Sequence, residues 1–157
     1  MTFNPDDDPS RERREHIIRF FKDHGMPLGE PEDDKSRRIL IIAGKQQLIQ
    51  QVRQLLPEGD NFRIETALSG FEAGIQAESS HPHVIIIDFD LGLAESIMIV
   101  QNLRKSTNYD TTLIIGLANE LNQTSTNIIA NGFSEIVLKP VGVDQFCSRI
   151  RAHFGTT

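Results

Sequence analysis

The apolar positions after residue 37 alternate between short runs and longer stripes at helical spacing. Arg38–Ala43 and Val84–Ile87 are almost wholly apolar, which is typical of strands buried on both faces. Phe62–Ala67 alternates apolar and polar residues, which indicates a more exposed strand. The predicted strands are Arg38–Ala43, Phe62–Ala67, Val84–Ile87, Leu113–Leu117 and Glu135–Leu138.

A helical pattern follows each predicted strand. The predicted helices are Gln46–Leu56, Gly70–Ser79, Ala94–Arg104, Glu120–Asn131 and a last helix striped by Val143, Phe146, Cys147, Ile150 and Phe154. Strict alternation of strands and helices favours a parallel sheet covered by helices on both faces. Because such crossovers are right-handed, the sequence predicts an open, doubly wound α/β sheet.

The first 36 residues have a different pattern. Residues 1–9 are polar and acidic and predict a loose tail, whereas Ser10–His24 carries one apolar stripe and predicts an amphipathic helix. Prolines, glycines and acids in Gly25–Ser36 predict a linker. We therefore expect a tail, helix and linker over residues 1–36 and one α/β domain over residues 37–157.

Composition narrows the class of protein. The chain has 157 residues, 38% of them hydrophobic, and a net charge of −6, which disfavours binding to nucleic acid. No apolar run approaches the roughly 20 residues of a membrane helix, and the N-terminus has no apolar leader. The single cysteine, Cys147, excludes an internal disulfide and is expected in the core. We expect a cytoplasmic protein that does not associate with membranes.

The residues that follow the strands are the candidates for chemistry, since ligands of open α/β sheets bind beyond the carboxyl ends of the strands. Ala43-Gly44 follows the first strand, Asp88 and Asp90 follow the third, Ala118-Asn119 follows the fourth and Lys139-Pro140 follows the fifth. A lysine and a carboxylate at the mouth of one crevice could form an ion pair or a site for an anion and a metal.

Three segments carry a specific resemblance: HPHVIIIDFDLG (81–92), TLIIGLAN (112–119) and NGFSEIVLKPVGVDQF (131–146). Together they resemble the receiver domain of bacterial two-component response regulators, over roughly residues 37–154. The resemblance implies a flavodoxin-like (CheY-like) five-stranded parallel sheet of order 2-1-3-4-5, here with an N-terminal helical extension. It also implies a role in phosphorelay signal transduction, with Asp88 at the phosphoacceptor position and Lys139 at the phosphate-contact position. The bond from Lys139 to Pro140 is typically cis in this family.

Four positions depart from the family pattern. Receivers have two adjacent acids that hold Mg²⁺ where this chain has Ala43 and Gly44. The hydroxyl residue that contacts the phosphoryl group is replaced by Ala118, and the switch aromatic on the fifth strand is replaced by Ile136. Magnesium prefers hard oxygen ligands, and only Asp88 and Asp90 remain to supply them.

These departures favour a degenerate receiver, or pseudo-receiver, that acts by protein–protein interaction with little or no phosphorylation and is not an enzyme. The expected partner is a sensor kinase or a downstream effector, a homodimer is a further expectation, and no cofactor is expected. The alternative is a functional receiver, phosphorylated on Asp88 by a histidine kinase, with an unorthodox Mg²⁺ site that includes Asp90. A third interpretation, a flavodoxin-like enzyme, fails because Ala43–Gln46 lacks the glycines and hydroxyls of a phosphate loop.

Several other residues have more than one interpretation. Lys45 could occupy the vacated cation site beside Asp88 or could point to solvent. His81 and His83 could bind a metal, but a surface loop is favoured, and Asn119 is expected to cap the following helix rather than bind an anion.

The basic cluster within residues 11–14 is interleaved with acids and is expected to be a solvated helix face. The segment REHIIRFFKDHGMPLGEP (14–31) resembles the tail of excisionase-like winged-helix domains. The DNA-reading helices of those domains are missing, so DNA binding by this chain is not expected.

Overall fold

The computed structural model describes residues 36–56 and 61–155, and these form a five-stranded, all-parallel sheet of order β2-β1-β3-β4-β5. The strands are β1 (Arg37–Ile42), β2 (Phe62–Ala67), β3 (Val84–Asp88), β4 (Leu113–Ala118) and β5 (Glu135–Leu138). The predicted doubly wound sheet of order 2-1-3-4-5 is therefore confirmed, and the predicted strands differ from the observed ones by at most one residue at either end. Apart from Ser36, the predicted N-terminal tail, helix and linker lie outside the described residues.

Five helices connect or follow the strands in this part of the chain. They are α1 (Gln46–Gln54), α2 (Gly70–Ser80), α3 (Leu93–Arg104), α4 (Thr126–Ile129) and α5 (Val143–His153). Within the described residues, no helix is long and apolar enough to span a membrane.

The single helix predicted over Glu120–Asn131 is wrong. A 3-10 turn at Leu121–Thr124 is followed by an extended Ser125, with φ −66° and ψ 153°, before the one-turn helix α4 begins. The Ser125 hydroxyl accepts a hydrogen bond from the backbone N–H of Ile128, so this residue starts a new helix instead of continuing the turn before it. Serine, threonine and asparagine compete with helical hydrogen bonds in this way, which the apolar spacing did not reveal.

The sheet buries a separate core on each of its faces. On one face Leu40, Ile85 and Ile114 pack with Val100 of α3 and Ala77 of α2. On the other face the alternate residues of the same strands pack against α1 and α5, and this set includes Ile39, Ile41, Ile86, Ile115, Val52 and Phe146. Burial on both sides explains why β1, β3 and β4 are nearly continuous apolar runs. Cys147 is buried beside the second core, as predicted, and its thiol donates to the carbonyl of Leu55 at 3.0 Å.

Candidate functional site

The carboxyl ends of β3, β4 and β5 bring Asp88, Asp90, Asn119 and Lys139 into one hydrogen-bonded network. Asp88 is the last residue of β3, Asn119 follows β4 and Lys139 follows β5. Because neighbouring parallel strands end at the same edge of the sheet, side chains 51 residues apart in the chain come within hydrogen-bonding distance.

The Asp88 carboxylate is buried and is neutralised within the chain. Only 2% of its side chain is exposed, and the Lys139 ammonium lies 2.7 Å from each of its two oxygens. The backbone N–H of Asp90 donates a further hydrogen bond to Asp88 Oδ1 at 2.9 Å. A carboxylate this deeply buried is costly unless a cation and hydrogen bonds compensate it, and the three contacts supply that compensation.

Asn119 links the ammonium to the second carboxylate. Its Oδ1 accepts from Lys139 Nζ at 3.1 Å, and its Nδ2 donates to Asp90 Oδ1 at 2.7 Å. Lys139 Nζ also lies 3.5 Å from Asp90 Oδ2. The expectation that Asn119 caps the next helix is therefore wrong. Glu120 is the cap residue of the following turn, and the Gln123 side chain accepts from the backbone N–H of Asn119.

The Phe89 ring anchors the chain immediately after Asp88. It is 3% exposed and lies over Gly116 of β4, so close that a Cβ added to Gly116 would be 2.5 Å from the ring. Phe89 also packs edge-on against Phe133, with ring centroids 5.5 Å apart. Because Phe89 lies between Asp88 and Asp90, this packing restrains the backbone that carries the Asp88 carboxylate and the Asp90 N–H.

Comparison with known proteins identifies the class of this domain. The sequence profile of the response regulator receiver domain matches residues 39–151, which is more than half of the chain. The chain belongs to the response regulator receiver family. It is therefore a receiver domain of two-component signalling, a class of domain that interacts with kinases and effectors.

Individual relatives agree with this assignment. The transcriptional regulatory protein KdpE of Staphylococcus aureus is 27% identical over 92 residues, which are 59% of this chain and 39% of that protein. The matched part is thus well under half the length of that relative.

Solved structures of receivers establish the same fold. A chemotaxis response regulator of Vibrio cholerae superposes with a TM-score of 0.65 at 22% identity, covering 76% of this chain and 99% of that one. A signal receiver domain from Bermanella marisrubri gives a TM-score of 0.66 at 21% identity, with 76% and 99% covered.

The residues of this receiver do not fit the Mg²⁺ ion that its family implies. Ala43 and Gly44 have no side-chain oxygen, and both oxygens of Asp88 already contact the Lys139 ammonium. Asp90 is the one other carboxylate in the network, and among the described residues no group of three or more metal-ligating side chains comes together. Two carboxylates that share an ammonium are a poor match for an octahedral cation.

The other two degenerate positions line the apolar core behind the network. Ala118 is fully buried, and because its side chain is a methyl group, it offers Asp88 no hydroxyl at the end of β4. Ile136 is half-buried and packs in the same cluster as Phe89 and Phe133. Two buried aromatic rings therefore stand near the position where the family has its switch aromatic. Nothing in the sequence pattern indicates that the Phe89 ring would turn into the core beside Ile136.

Lys45 does not occupy the vacated cation site. Its side chain is exposed, and in the described part of the chain no hydrogen bond or ion pair joins it to Asp88. The cation that neutralises Asp88 is Lys139.

The two histidines before β3 differ in their surroundings. His81 is exposed, as predicted, and has a left-handed backbone with φ 46°. His83 lies in the loop before β3, as predicted, but it is half-buried, and its Nδ1 accepts a hydrogen bond from the backbone N–H of Arg38 at 3.1 Å. Burial, with the nearby Arg38 and His153, lowers the pKa of His83. The Lys139–Pro140 peptide bond is cis, as the family resemblance implies.

Proposed function

We propose that this receiver signals through contacts with a protein partner, a sensor kinase or a downstream effector, with little or no phosphorylation of Asp88. One observation carries the proposal: the Lys139 ammonium lies 2.7 Å from both oxygens of the Asp88 carboxylate. A divalent cation would have to compete with a positive charge that is covalently part of the protein.

The chemistry of phosphoryl transfer supports the same conclusion. Transfer to a carboxylate depends on cations and hydrogen-bond donors that neutralise charge on the phosphoryl oxygens. Ala43 and Gly44 supply no metal ligands, and Ala118 supplies no hydroxyl donor. Lys139 is left as the cation beside Asp88, and its charge already serves to hold the unmodified carboxylate.

One observation favours the alternative, a receiver phosphorylated on Asp88 by a histidine kinase with an unorthodox Mg²⁺ site. The Asp90 side chain is 45% exposed and belongs to the Asp88 network, so a second hard oxygen ligand is within reach of solvent. The two candidates differ in whether Asp88 accepts a phosphoryl group.

Incubation of the full chain with acetyl phosphate and Mg²⁺, followed by intact-mass analysis, separates these candidates. We expect no Mg²⁺-dependent mass increase for the natural sequence. A variant with Ala43→Asp and Gly44→Asp restores two acids, and a Cβ at Gly44 meets Leu91 no closer than 3.6 Å, which is ordinary contact. We expect this variant to gain Mg²⁺-dependent modification that Asp88→Asn removes.

Saturable, Mg²⁺-dependent modification of the natural sequence that disappears in Asp88→Asn would overturn the proposal. In that case Asp90→Asn should also abolish modification, since Asp90 is the one further carboxylate of the network.

A further inference from the structure

A groove between α2 and α3 has no role in the Asp88 network. It encloses about 440 Å³. Gly70, Gly74 and Glu78 line it from α2 at intervals of four residues, so they share one face of that helix. A Cβ built on Gly74 meets nothing within 4 Å, which leaves this wall open to a side chain from outside.

The groove has a largely apolar lining that includes two large exposed side chains. Phe71 is 80% exposed and Met98 is 57% exposed, and the buried Ile99, Leu103 and Tyr109 also line the groove, together with the polar Asn102 and Ser106. Aromatic and methionine side chains that stand together in water are typical of surfaces that bind another protein.

The groove carries negative charge, which bears on the kind of molecule that can bind in it. Glu78 and Glu95 line it, and no lysine or arginine does so among the described residues. Each carboxylate accepts one hydrogen bond from an uncharged donor, Glu78 from the Tyr109 hydroxyl at 3.3 Å and Glu95 from the N–H of Gly70 at 3.2 Å. Neither forms an ion pair within residues 36–56 and 61–155. The groove therefore favours an occupant that carries positive charge.

A second copy of this chain fits the groove poorly. Two copies paired through this face would oppose Glu78 and Glu95 with the same residues, in a chain whose net charge is already −6. Like charges brought together at an interface raise the free energy of association.

We propose that this groove docks an amphipathic helix of a partner protein, with apolar side chains on Phe71 and Met98 and basic side chains facing Glu78 and Glu95. Glu95 contacts Gly70 at the start of α2, and Glu78 lies eight residues farther along that helix, so about 12 Å separates the two acids along the groove. Lysines or arginines seven or eight positions apart, with apolar residues between them, match this spacing. The inference goes beyond the proposed function, because a receiver phosphorylated on Asp88 could use the same groove.

The test is an NMR titration of the ¹⁵N-labelled full chain with the acetylated, amidated peptide AQKAQLLAQKAQAA. Its lysines are seven positions apart and flank two leucines. We expect saturable shifts confined to the lining residues of α2 and α3. The matched peptide with glutamate in place of both lysines should bind at least about tenfold more weakly, since it meets like charges.

Matched variants decide whether the groove is the site. Phe71→Ala with Met98→Ala, and separately Glu78→Gln with Glu95→Gln, should each weaken binding by about tenfold. Leu121→Ala and Asp144→Asn, which remove an exposed apolar and an exposed acidic side chain elsewhere, should leave it unchanged. Circular dichroism confirms that each variant folds.

Three results of the peptide titrations would overturn the proposal. The first is no saturable binding, the second is equal binding of both peptides, and the third is binding that the groove variants leave unchanged. A dimer that dissociates when Phe71 and Met98 are replaced, measured by light scattering, would assign the groove to a second copy and would equally overturn it. Each of these results is independent of whether acetyl phosphate modifies Asp88.

Discussion

At the scale of single residues, Gly116 is the described glycine at which an added Cβ would lie closest to another atom. The Phe89 ring fills the space above its Cα, so a methyl group there would lie 2.5 and 2.7 Å from two ring carbons. We expect Gly116→Ala to lower the free energy of unfolding by about 1–3 kcal/mol, because the ring must move in a packed core. Urea denaturation followed by circular dichroism measures the change.

Gly74→Ala is the matched control for this substitution. Gly74 lies inside α2 with open space around the added methyl, so alanine should raise the free energy of unfolding by about 0.5–1 kcal/mol. If Gly116→Ala were as stable as the natural sequence, the packing of Phe89 against β4 would not be as described.

Single residues also show how far the sequence could predict the site. The sequence predicts that Asp88 and Lys139 lie together because each stands at the carboxyl end of a recognisable strand, and these ends share one edge of a parallel sheet. Asn119 stands at such an end too, but its amide could equally cap a helix or join a network, and only the three-dimensional arrangement decides. The inward turn of Phe89 depends on the missing side chain of Gly116, which lies 27 residues later in the chain.

At the scale of elements, His83 joins the starts of β1 and β3. Its Nδ1 accepts from the Arg38 backbone N–H, and its Nε2 lies 3.4 Å from the Arg38 guanidinium. His153 of α5 packs edge-on against Phe154, which also contacts the His83 ring. Burial lowers the pKa of both histidines, which favours their neutral form in the folded state. A proton on Nδ1 would remove an acceptor from the Arg38 N–H.

This arrangement predicts a loss of stability on acidification. Because each histidine has a lower pKa when folded than when unfolded, the unfolded chain binds protons more tightly. The contribution to stability is complete above the unfolded pKa of about 6.5 and decreases as the pH falls below it. Urea denaturation at several pH values between about 5 and 8 should show this decrease.

Two asparagine variants test the assignment to His83. His83→Asn keeps a side-chain acceptor near the Arg38 N–H but cannot titrate, so the dependence of stability on pH should become shallower. His81→Asn is the control, since His81 is exposed and asparagine tolerates its left-handed backbone. Equal pH dependence in His83→Asn and the natural sequence would contradict this account.

The elements also differ in how well the sequence predicted them. The strands were predicted within one residue because burial on both faces leaves a run of apolar residues that few other structures produce. The region from Glu120 to Asn131 was mispredicted because its polar residues end one turn and begin another at Ser125. The position of this break depends on side-chain hydrogen bonds, which the spacing of apolar residues does not indicate.

At the scale of the whole molecule, self-association remains a prediction. Three apolar residues near the ends of β4 and β5 are exposed. Leu121 follows β4, Leu138 is the last residue of the edge strand β5, and Val143 follows β5. Residues 10–24 carry an apolar stripe, and an isolated helix of about 15 residues is marginal in water. We therefore expect the full chain to form a dimer.

Size-exclusion chromatography with light scattering measures the mass of the full chain and of a chain that starts at Ser36. We expect a dimer for the full chain and a smaller fraction of dimer for the shortened one, since it lacks the apolar stripe. Monomeric masses for both would contradict the prediction.

The ion pair between Asp88 and Lys139 has a further consequence for how the molecule folds. The two residues stand at the ends of β3 and β5, which are not neighbours because β4 lies between them. Their contact thus requires three strands in register and closes a long segment of chain, which makes it a non-local contact. Without β5 beside β4, the Lys139 ammonium has no fixed position from which to neutralise the carboxylate. The ion pair therefore depends on the alignment of β3, β4 and β5, and its presence reports that this half of the sheet is assembled.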